Sequence, residues 1–208
     1  MIIGISGKKQ VGKDTTFKII QALEYYRKNF GDENLEKEAI LIDSLIGGRS
    51  SEVVTDSRWE KKEMAGALKE ISARLIGCSP EDFEEEKFKS SKCSIGDGIT
   101  NRELLQKIGT DISRNIDPDI WIKILKRKYD PSQNWIITDI RFPNEARFIR
   151  DYKGILIRVL RDTPYSDSHL SESAMNEWTD FDYILDNNGT ILDLIKKIQN
   201  IYGELSSL

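Results

Sequence analysis

Two hydrophobic rhythms alternate along this chain. Apolar runs at residues 2–5, 39–42 and 135–137, and one at 155–160 broken only by Arg158, have the length and β-branched content of buried strands, and residues 182–185 add a brief one. Between them apolar positions recur at helical spacing. Thr16, Ile19, Ile20, Leu23 and Tyr26 share a face over about residues 14–29. Met64, Leu68, Ile71 and Leu75 do so over 59–76, and Leu104, Leu105, Ile108 and Ile112 from residue 100 onward. Ile120, Trp121, Ile124 and Leu125 follow, and Ile191, Leu194, Ile195, Ile198, Ile201, Tyr202 and Leu205 mark the last helix.

Start signals fit this reading. Ser79-Pro80-Glu81-Asp82 opens a helix, Thr100 and Glu103 have capping-box spacing, Asp117-Pro118-Asp119 opens another, and Pro143 starts one through Asp151. Residues 30–38, 47–51 and 186–190 read as loops or turns. The polar, glycine-containing stretch 87–98 is expected to be mobile, and 163–180 to be a surface segment with a short helix. Strands alternating with helices give an α/β class: a mostly parallel sheet with helices on both faces, a three-layer sandwich.

The chemistry enters at residues 7–13. Gly7-Lys8-Lys9-Gln10-Val11-Gly12-Lys13 completes G-x-x-x-x-G-K between the first strand and the first helix, where a phosphate-binding loop (P-loop) must sit. Gly7 and Gly12 let successive N–H groups turn inward around an anion, and the helix directs its positive end at the same point. Lys13 then reaches the β- and γ-phosphates of a nucleotide. The position after the lysine, normally Ser or Thr, is Asp14. As a hard oxygen ligand Asp14 could hold magnesium, or Thr15 could supply the hydroxyl instead.

Asp139 ends the strand at 135–139, where ligands gather in open α/β sheets, and is placed like the carboxylate that orders magnesium beside a P-loop. Arginines recur at positions phosphates could reach: Arg141 and Arg161 beyond strand ends, Arg102 on a helix and Arg114 further along it. Arg102, Gln106 and Thr110 share a stripe apart from their helix's apolar face, a candidate ligand wall whose alternative is a solvated face. Lys69 lies off the apolar stripe of its own helix. Two phosphorylated molecules brought together carry several negative charges and call for several arginines. A phosphate-monoester acceptor is already anionic at neutral pH, so it needs no catalytic base. His169, the only histidine, reads as a structural or solvated residue.

Composition narrows the classes. The chain has 208 residues, 32% of them charged, and a net charge of −4, which gives no global basic field for duplex nucleic acid. Two cysteines and one histidine cannot make a disulfide framework or a Cys/His zinc site, and point to a reducing, cytoplasmic setting. No apolar run is long enough to span a membrane, and the chain opens on a core strand rather than a signal peptide.

Together these motifs resemble the deoxynucleoside monophosphate kinases of tailed bacteriophages. The resemblance is carried by residues 7–16 with their Gly-Lys-Asp-Thr ending, by 64–69 and by Arg102-Glu103-Leu104-Leu105-Gln106-Lys107-Ile108-Gly109-Thr110. It continues through Trp121, Asp139-Ile140-Arg141-Phe142-Pro143-Asn144-Glu145 and Asn187-Asn188-Gly189-Thr190. It implies a single P-loop kinase domain over 1–208, with a core at about 1–45 and 133–208 and a helical acceptor-binding insertion at about 46–132, and leaves the bounds of a lid open. It implies ATP and Mg2+, phosphoryl transfer to a deoxynucleoside 5′-monophosphate, and a host-cytoplasm location if the gene is a phage's. It names only small-molecule substrates as partners, with no nucleic acid or membrane, and allows a homodimer.

By the same resemblance, Gly7, Lys8, Gln10, Val11, Gly12, Lys13, Asp14 and Thr15 belong to the ATP site, and Asn187, Gly189 and Thr190 to the loop beside the adenine. Lys69, Arg102, Gln106, Thr110, Arg114, Trp121, Asp139 and Arg141 belong to the acceptor, with Lys13, Arg102, Arg141 and Arg161 acting on the transferring phosphates. Trp121 packs against the base or the sugar, or is a core residue. Asp14, Thr15 and Asp139 are the candidate metal ligands. Met64-Ala65 stands where the family usually reads Phe-Ala. Two other readings remain open at this level: a P-loop kinase of dephospho-coenzyme A or phosphomevalonate, and a nucleotide-dependent binding protein.

Overall fold

The computed structural model describes residues 1–31, 39–40, 42–43, 57–164 and 169–205. Five strands, all parallel, form one sheet: β1 (Ile2–Ser6), β2 (Trp59–Lys62), β3 (Asn134–Ile140), β4 (Ile155–Leu160) and β5 (Tyr183–Asp186), in the order β2-β3-β1-β4-β5. The helices of the core are α1 (Lys13–Phe30), α2 (Gly66–Ile76), α7 (Pro143–Asp151) and α9 (Ile191–Leu205). Short helices α3 (Glu86–Ser90), α4 (Asn101–Gln106), α5 (Ser113–Ile116), α6 (Ile120–Lys126) and α8 (Leu170–Ser173) complete the set. A 3-10 turn, Pro80–Glu84, precedes α3, and a π-helical turn, Lys107–Ile112, joins α4 to α5.

Both faces of the sheet are buried, which is why its central strands read as continuous apolar runs. One core packs Ile3, Ile5, Ile136, Ile157 and Val159 against Ile19, Ile20 and Leu23 of α1 and Leu194, Ile195 and Ile198 of α9. On the other face Ile2, Trp135, Ile137 and Leu156 pack against Ala146, Phe148 and Ile149 of α7 and Ile122 and Leu125 of α6. The strand order reverses direction between β1 and β3. A crevice must open at the carboxyl ends of those two strands, and both the P-loop and Asp139-Ile140-Arg141 emerge there.

Several elements differ from the sequence reading. Residues 39–42 were expected as the second strand, but Ala39, Ile40, Ile42 and Asp43 are helical. Ala39 and Ile42 are buried in the α1-side core while Ile40 is exposed, so a short apolar run here is one face of a helix. The second strand is instead Trp59–Lys62, inside the stretch expected to be helical. It pairs with β3 and so belongs to the core sheet, although it falls within the expected insertion at 46–132. Helix α2 starts only at Gly66, and Ser72 and Ala73 are buried in place of Ile71 and Leu75, which are 44% and 52% exposed. Ile112 is also exposed: the π turn widens the helix there and displaces the later apolar positions from the core-facing register. The stretch 87–98 contains most of α3, and its Cys93 is buried. The turn expected at 47–51 lies outside the described residues.

The capping expectations hold. The Thr100 side chain accepts from Glu103 N and the Glu103 carboxylate accepts from Thr100 N; at residue 79 the Asp82 carboxylate accepts from Ser79 N at 2.9 Å. Helix α7 spans Pro143–Asp151 and β4 spans Ile155–Leu160, the bounds read from the sequence.

Two glycines test the packing with opposite signs. A Cβ on Gly154 would lie 2.7 Å from the Ile2 carbonyl oxygen and 2.9 Å from that of Ile149, backbone atoms that cannot move aside cheaply. Gly154→Ala should therefore cost about 1–3 kcal/mol. In α9 a Cβ on Gly203 meets nothing within 4 Å, and Gly203→Ala should stabilise by about 0.5–1 kcal/mol through helix propensity. Chemical denaturation of the two variants checks both signs.

Candidate active site

The P-loop is held from three sides. A Cβ on Gly7 (φ 155°) would meet the Val159 carbonyl oxygen at 2.6 Å, so the loop lies directly on β4. A Cβ on Gly12, in the left-handed region at φ 102°, would meet Asn187 Nδ2 at 2.5 Å. That amide donates to the Val11 carbonyl at 2.8 Å, tying the loop to the end of β5. On the third side the backbone N–H of Lys9 donates to Glu172 of α8 at 3.1 Å. Lys13 Nζ folds over the loop and donates to the carbonyls of Gly7 (2.8 Å) and Lys8 (2.7 Å). Burial, reinforced by the Arg141 charge, lowers the Lys13 pKa to about 8.

Beside the loop lies a cleft of about 380 Å³. Gln10, Lys13 and Asp14 line it from the loop and the first turn of α1. Lys69 lines it from α2; Arg102, Gln106, Thr110 and Arg114 line it from the α4–π–α5 helix; Trp121 comes from α6, and Asp139 and Arg141 from the end of β3. The expected Arg102-Gln106-Thr110 stripe thus faces a cavity rather than solvent. The helix continues through the π turn, and the stripe runs on from Thr110 to Arg114, which also lines the cleft. The same turn brings the Gly109 carbonyl to the Trp121 indole N–H at 2.8 Å, and a Cβ on Gly109 would lie 2.5 Å from Leu68 Cδ2. Trp121 is therefore both buried and cleft-lining.

Every arginine of the cleft is paired with a carboxylate. Glu86 takes Arg102 Nη2 at 2.5 Å and also Lys9 Nζ. Glu172 takes Arg141, and Glu145 takes Arg114. The Arg114 guanidinium lies over the Phe142 ring, 3.8 Å from its centroid, and donates to the Pro118 carbonyl at 2.9 Å. Burial pushes Glu145 up to about 7 against the pull of Arg114, and its other oxygen accepts the N–H groups of Arg141 (2.7 Å) and Phe142 (3.1 Å). Lys69 is gripped by Glu63 and Glu84.

The candidate metal ligands differ in what they can offer. Both Asp139 oxygens accept backbone N–H groups, Met64 at 2.8 Å and Ala65 at 2.9 Å, so this carboxylate anchors the turn entering α2. Burial, with the Glu63 charge nearby, raises its pKa. Asp14 is 69% exposed at the mouth of the cleft, with Oδ1 2.9 Å from Lys61 Nζ and 3.5 Å from Thr138 Oγ1. Burial acts to raise its pKa, but Lys61, Lys13 and Lys69 outweigh that and hold it below the usual range. Asp14 and Thr15, both in the first turn of α1, suit a hydrated hard cation shared with phosphates. Among the described residues no cluster of His, Cys, Asp or Glu could hold a metal by itself.

Some expected residues lie elsewhere. Lys8 and Thr15 are on the loop and α1 but not on the cleft wall, and Arg161 is exposed beyond β4. Asn187 acts on the loop from behind, and Thr190 caps α9 through Asp193, with Gly189 exposed beside it. Sequence reasoning missed Lys9, Lys61, Glu63, Glu84, Glu86 and Glu172. Glu84 and Glu86 sit in an acidic run indistinguishable from a solvated one. Glu172 sits in a segment that carried no motif. Its helix is capped by His169, whose Nδ1 accepts from Ser171 N at 3.2 Å, which gives the lone histidine a structural role.

Known proteins resemble this chain over most of its length. A protein of Acanthamoeba polyphaga mimivirus is 28% identical over 100% of this chain and 99% of its own length. The deoxynucleotide monophosphate kinase of Enterobacteria phage T4 is 26% identical, covering 96% of this chain and 97% of its own. The deoxynucleoside-5′-monophosphate kinase of Escherichia phage T5 is 25% identical over 84% and 85%. Residues 68–198, more than half of the sequence, match the family model described as deoxynucleotide monophosphate kinase. With a P-loop on β1 and a ring of arginines facing it across one crevice, the chain belongs to the deoxynucleotide monophosphate kinase family.

Proposed function

We propose that the protein transfers the γ-phosphoryl group of ATP to the 5′-phosphate of a deoxynucleoside monophosphate, giving ADP and the deoxynucleoside diphosphate. The observation that carries this reading is the convergence of Lys13, Arg102 and Arg141 on a single cleft. The family supports a nucleotide acceptor over dephospho-coenzyme A or phosphomevalonate.

In this reading Lys13 leaves the Gly7 and Lys8 carbonyls for the β- and γ-phosphates, and inward N–H groups of the loop hold the triphosphate tail. Arg102 and Arg141 exchange Glu86 and Glu172 for phosphate oxygens. An oxygen of the acceptor phosphate, already anionic, forms the new bond to the γ-phosphorus as the bond to the β–γ bridging oxygen breaks. The leaving charge stays on ADP, next to Lys13. No side chain has to remove a proton, so positioning and neutralisation carry the catalysis. Asp14, at the mouth of the cleft, would hold a hydrated magnesium ion that neutralises charge on the phosphate oxygens, while Asp139 fixes the turn behind it. Gln106, Thr110, Trp121 and the Arg114–Phe142 stack form the wall for the base and sugar. The helical elements between β2 and β3 act as the acceptor-binding part, and the sheet with α1, α7 and α9 as the nucleotide-binding core.

The test is a panel of common deoxy- and ribonucleoside monophosphates with magnesium-ATP, following the diphosphate product. ADP release should depend strictly on a deoxynucleoside monophosphate; slow hydrolysis indifferent to every acceptor would reject the reading. Lys13→Met should lower turnover by at least about 100-fold, the scale of losing a preorganised charge on the transferring group.

Arg102→Ala should raise KM for the monophosphate well above any change in KM for ATP. Steady-state kinetics with each substrate varied in turn separates the two, and an unmoved monophosphate KM would remove Arg102 from the acceptor pocket.

The Lys13 pKa gives a stability prediction. Its folded value, about 8, lies below the ordinary 10.5, so between these values the unfolded chain binds more protons. The cost of burying the charge is therefore full below pH 8 and relieved as pH rises toward 10.5. Lys13→Met should be more stable than the wild-type protein at pH 7, by more than about 1 kcal/mol, with the gap closing through that window. Thermal melts of both proteins without nucleotide, from pH 7 to 10, measure it.

A further inference from the structure

Asp14 places a carboxylate where P-loops ordinarily carry a hydroxyl. It stands at the positive end of α1, the same end that must receive a triphosphate, so its charge competes with the ligand for one favourable potential. An uncompensated carboxylate there would repel every phosphate the loop binds.

The compensation comes from the edge of the sheet. Strand β2 pairs in parallel with β3, with Lys61 opposite Ile136. Alternation along β2 puts Trp59 and Lys61 on the α1 face of the sheet, where Trp59 joins the core, and sends Lys62 to the other face over the Trp135 ring. Lys61 Nζ consequently lies 2.9 Å from Asp14 Oδ1 and 2.9 Å from Glu63 Oε1, with Thr138 Oγ1 of β3 on the same Asp14 oxygen at 3.5 Å. Lys61 is only 31% exposed, and Glu63 is shared with Lys69. Lys61 is thus a fixed cation, anchored on both sides, rather than a waving surface lysine.

We propose that Lys61 is a positioning residue for nucleotide binding: it neutralises and orients Asp14 so that a carboxylate can occupy this place in a phosphate loop. This rests on the P-loop reading above, and it assigns a role to a strand residue outside the loop. Lys61 acts through Asp14 and does not itself need to touch the phosphates. Two consequences separate it from a merely structural lysine. Its removal should weaken nucleotide binding most when no divalent cation is present to share the charge of Asp14. The loss should also vanish when Asp14 is neutral.

The experiment is isothermal titration of a non-hydrolysable ATP analogue, adenosine 5′-(β,γ-imido)triphosphate, into the wild-type protein, Lys61→Met, Lys61→Arg, Asp14→Asn and the Lys61→Met/Asp14→Asn double variant. Each is measured with EDTA and with magnesium, and each is checked for an intact fold by circular dichroism. With EDTA, Lys61→Met should raise Kd about tenfold, the scale of one unit-charge interaction at close range in a water-like dielectric. Magnesium should shrink that loss, and Lys61→Arg should bind within about threefold of wild type. In the Asp14→Asn background the Lys61→Met change should cost less than about twofold. An unchanged Kd in Lys61→Met overturns the proposal, and so does a tenfold loss that persists with Asp14 neutral, which would assign the effect to Glu63. Failure of the wild-type protein to bind the analogue would instead overturn the nucleotide-site reading itself.

Discussion

The constraint on which this structure depends is charge balance inside one small cleft. Seven basic side chains line it (Lys9, Lys13, Lys69, Lys89, Arg102, Arg114 and Arg141) and seven carboxylates stand among them (Asp14, Glu63, Glu84, Glu86, Asp139, Glu145 and Glu172). Cations gathered to receive two phosphorylated molecules would repel one another in an empty cavity. Burial first, and the Arg141 charge second, lower the Lys13 pKa, while Glu172, Asp14 and Asp139 act to raise it. Pairing each arginine with a carboxylate offsets it and holds the guanidinium groups in place before any ligand arrives. Phosphates then meet a preorganised site in which the carboxylates hold their places.

These carboxylates also join separate parts of the chain. Glu86 on α3 links Lys9 of the loop to Arg102 of α4, and Glu172 on α8 links the Lys9 backbone to Arg141 beyond β3. The α4 helix and the end of β3 are therefore coupled to the P-loop through ion pairs as well as through the sheet.

The remaining constraint is covalent. Parallel order β2-β3-β1-β4-β5 reverses between β1 and β3, and the two segments richest in phosphate-binding chemistry, residues 7–15 and 139–145, leave those two strands side by side. The backbone of the loop has little freedom there. Gly7 sits on the Val159 carbonyl and Gly12 against Asn187, positions where a side chain has no room.

Much of this was legible in the sequence because local rules fix it. The G-x-x-x-x-G-K spacing, the strand before it and the helix after it are contiguous, so the loop could be read outright, as could the Thr100–Glu103 cap and the Pro143 start of α7. The i, i+4 stripe of Arg102, Gln106 and Thr110 was visible, but only the fold decided that it faces a cavity. Residues 39–42 and 59–62 were misread in opposite directions, since a run of four apolar residues fits a buried helix face as well as a strand, and an edge strand reading Trp-Glu-Lys-Lys has almost no apolar content. The partners Lys61, Glu86 and Glu172 could not be read at all. The contacts that matter cross the fold, from Lys61 to Asp14, Glu86 to Lys9 and Glu172 to Arg141, and a charged residue carries no periodic mark of what it will face. Local sequence wrote the phosphate loop and the arginines; the sheet's strand order and the packing of short helices decided which carboxylates would hold them.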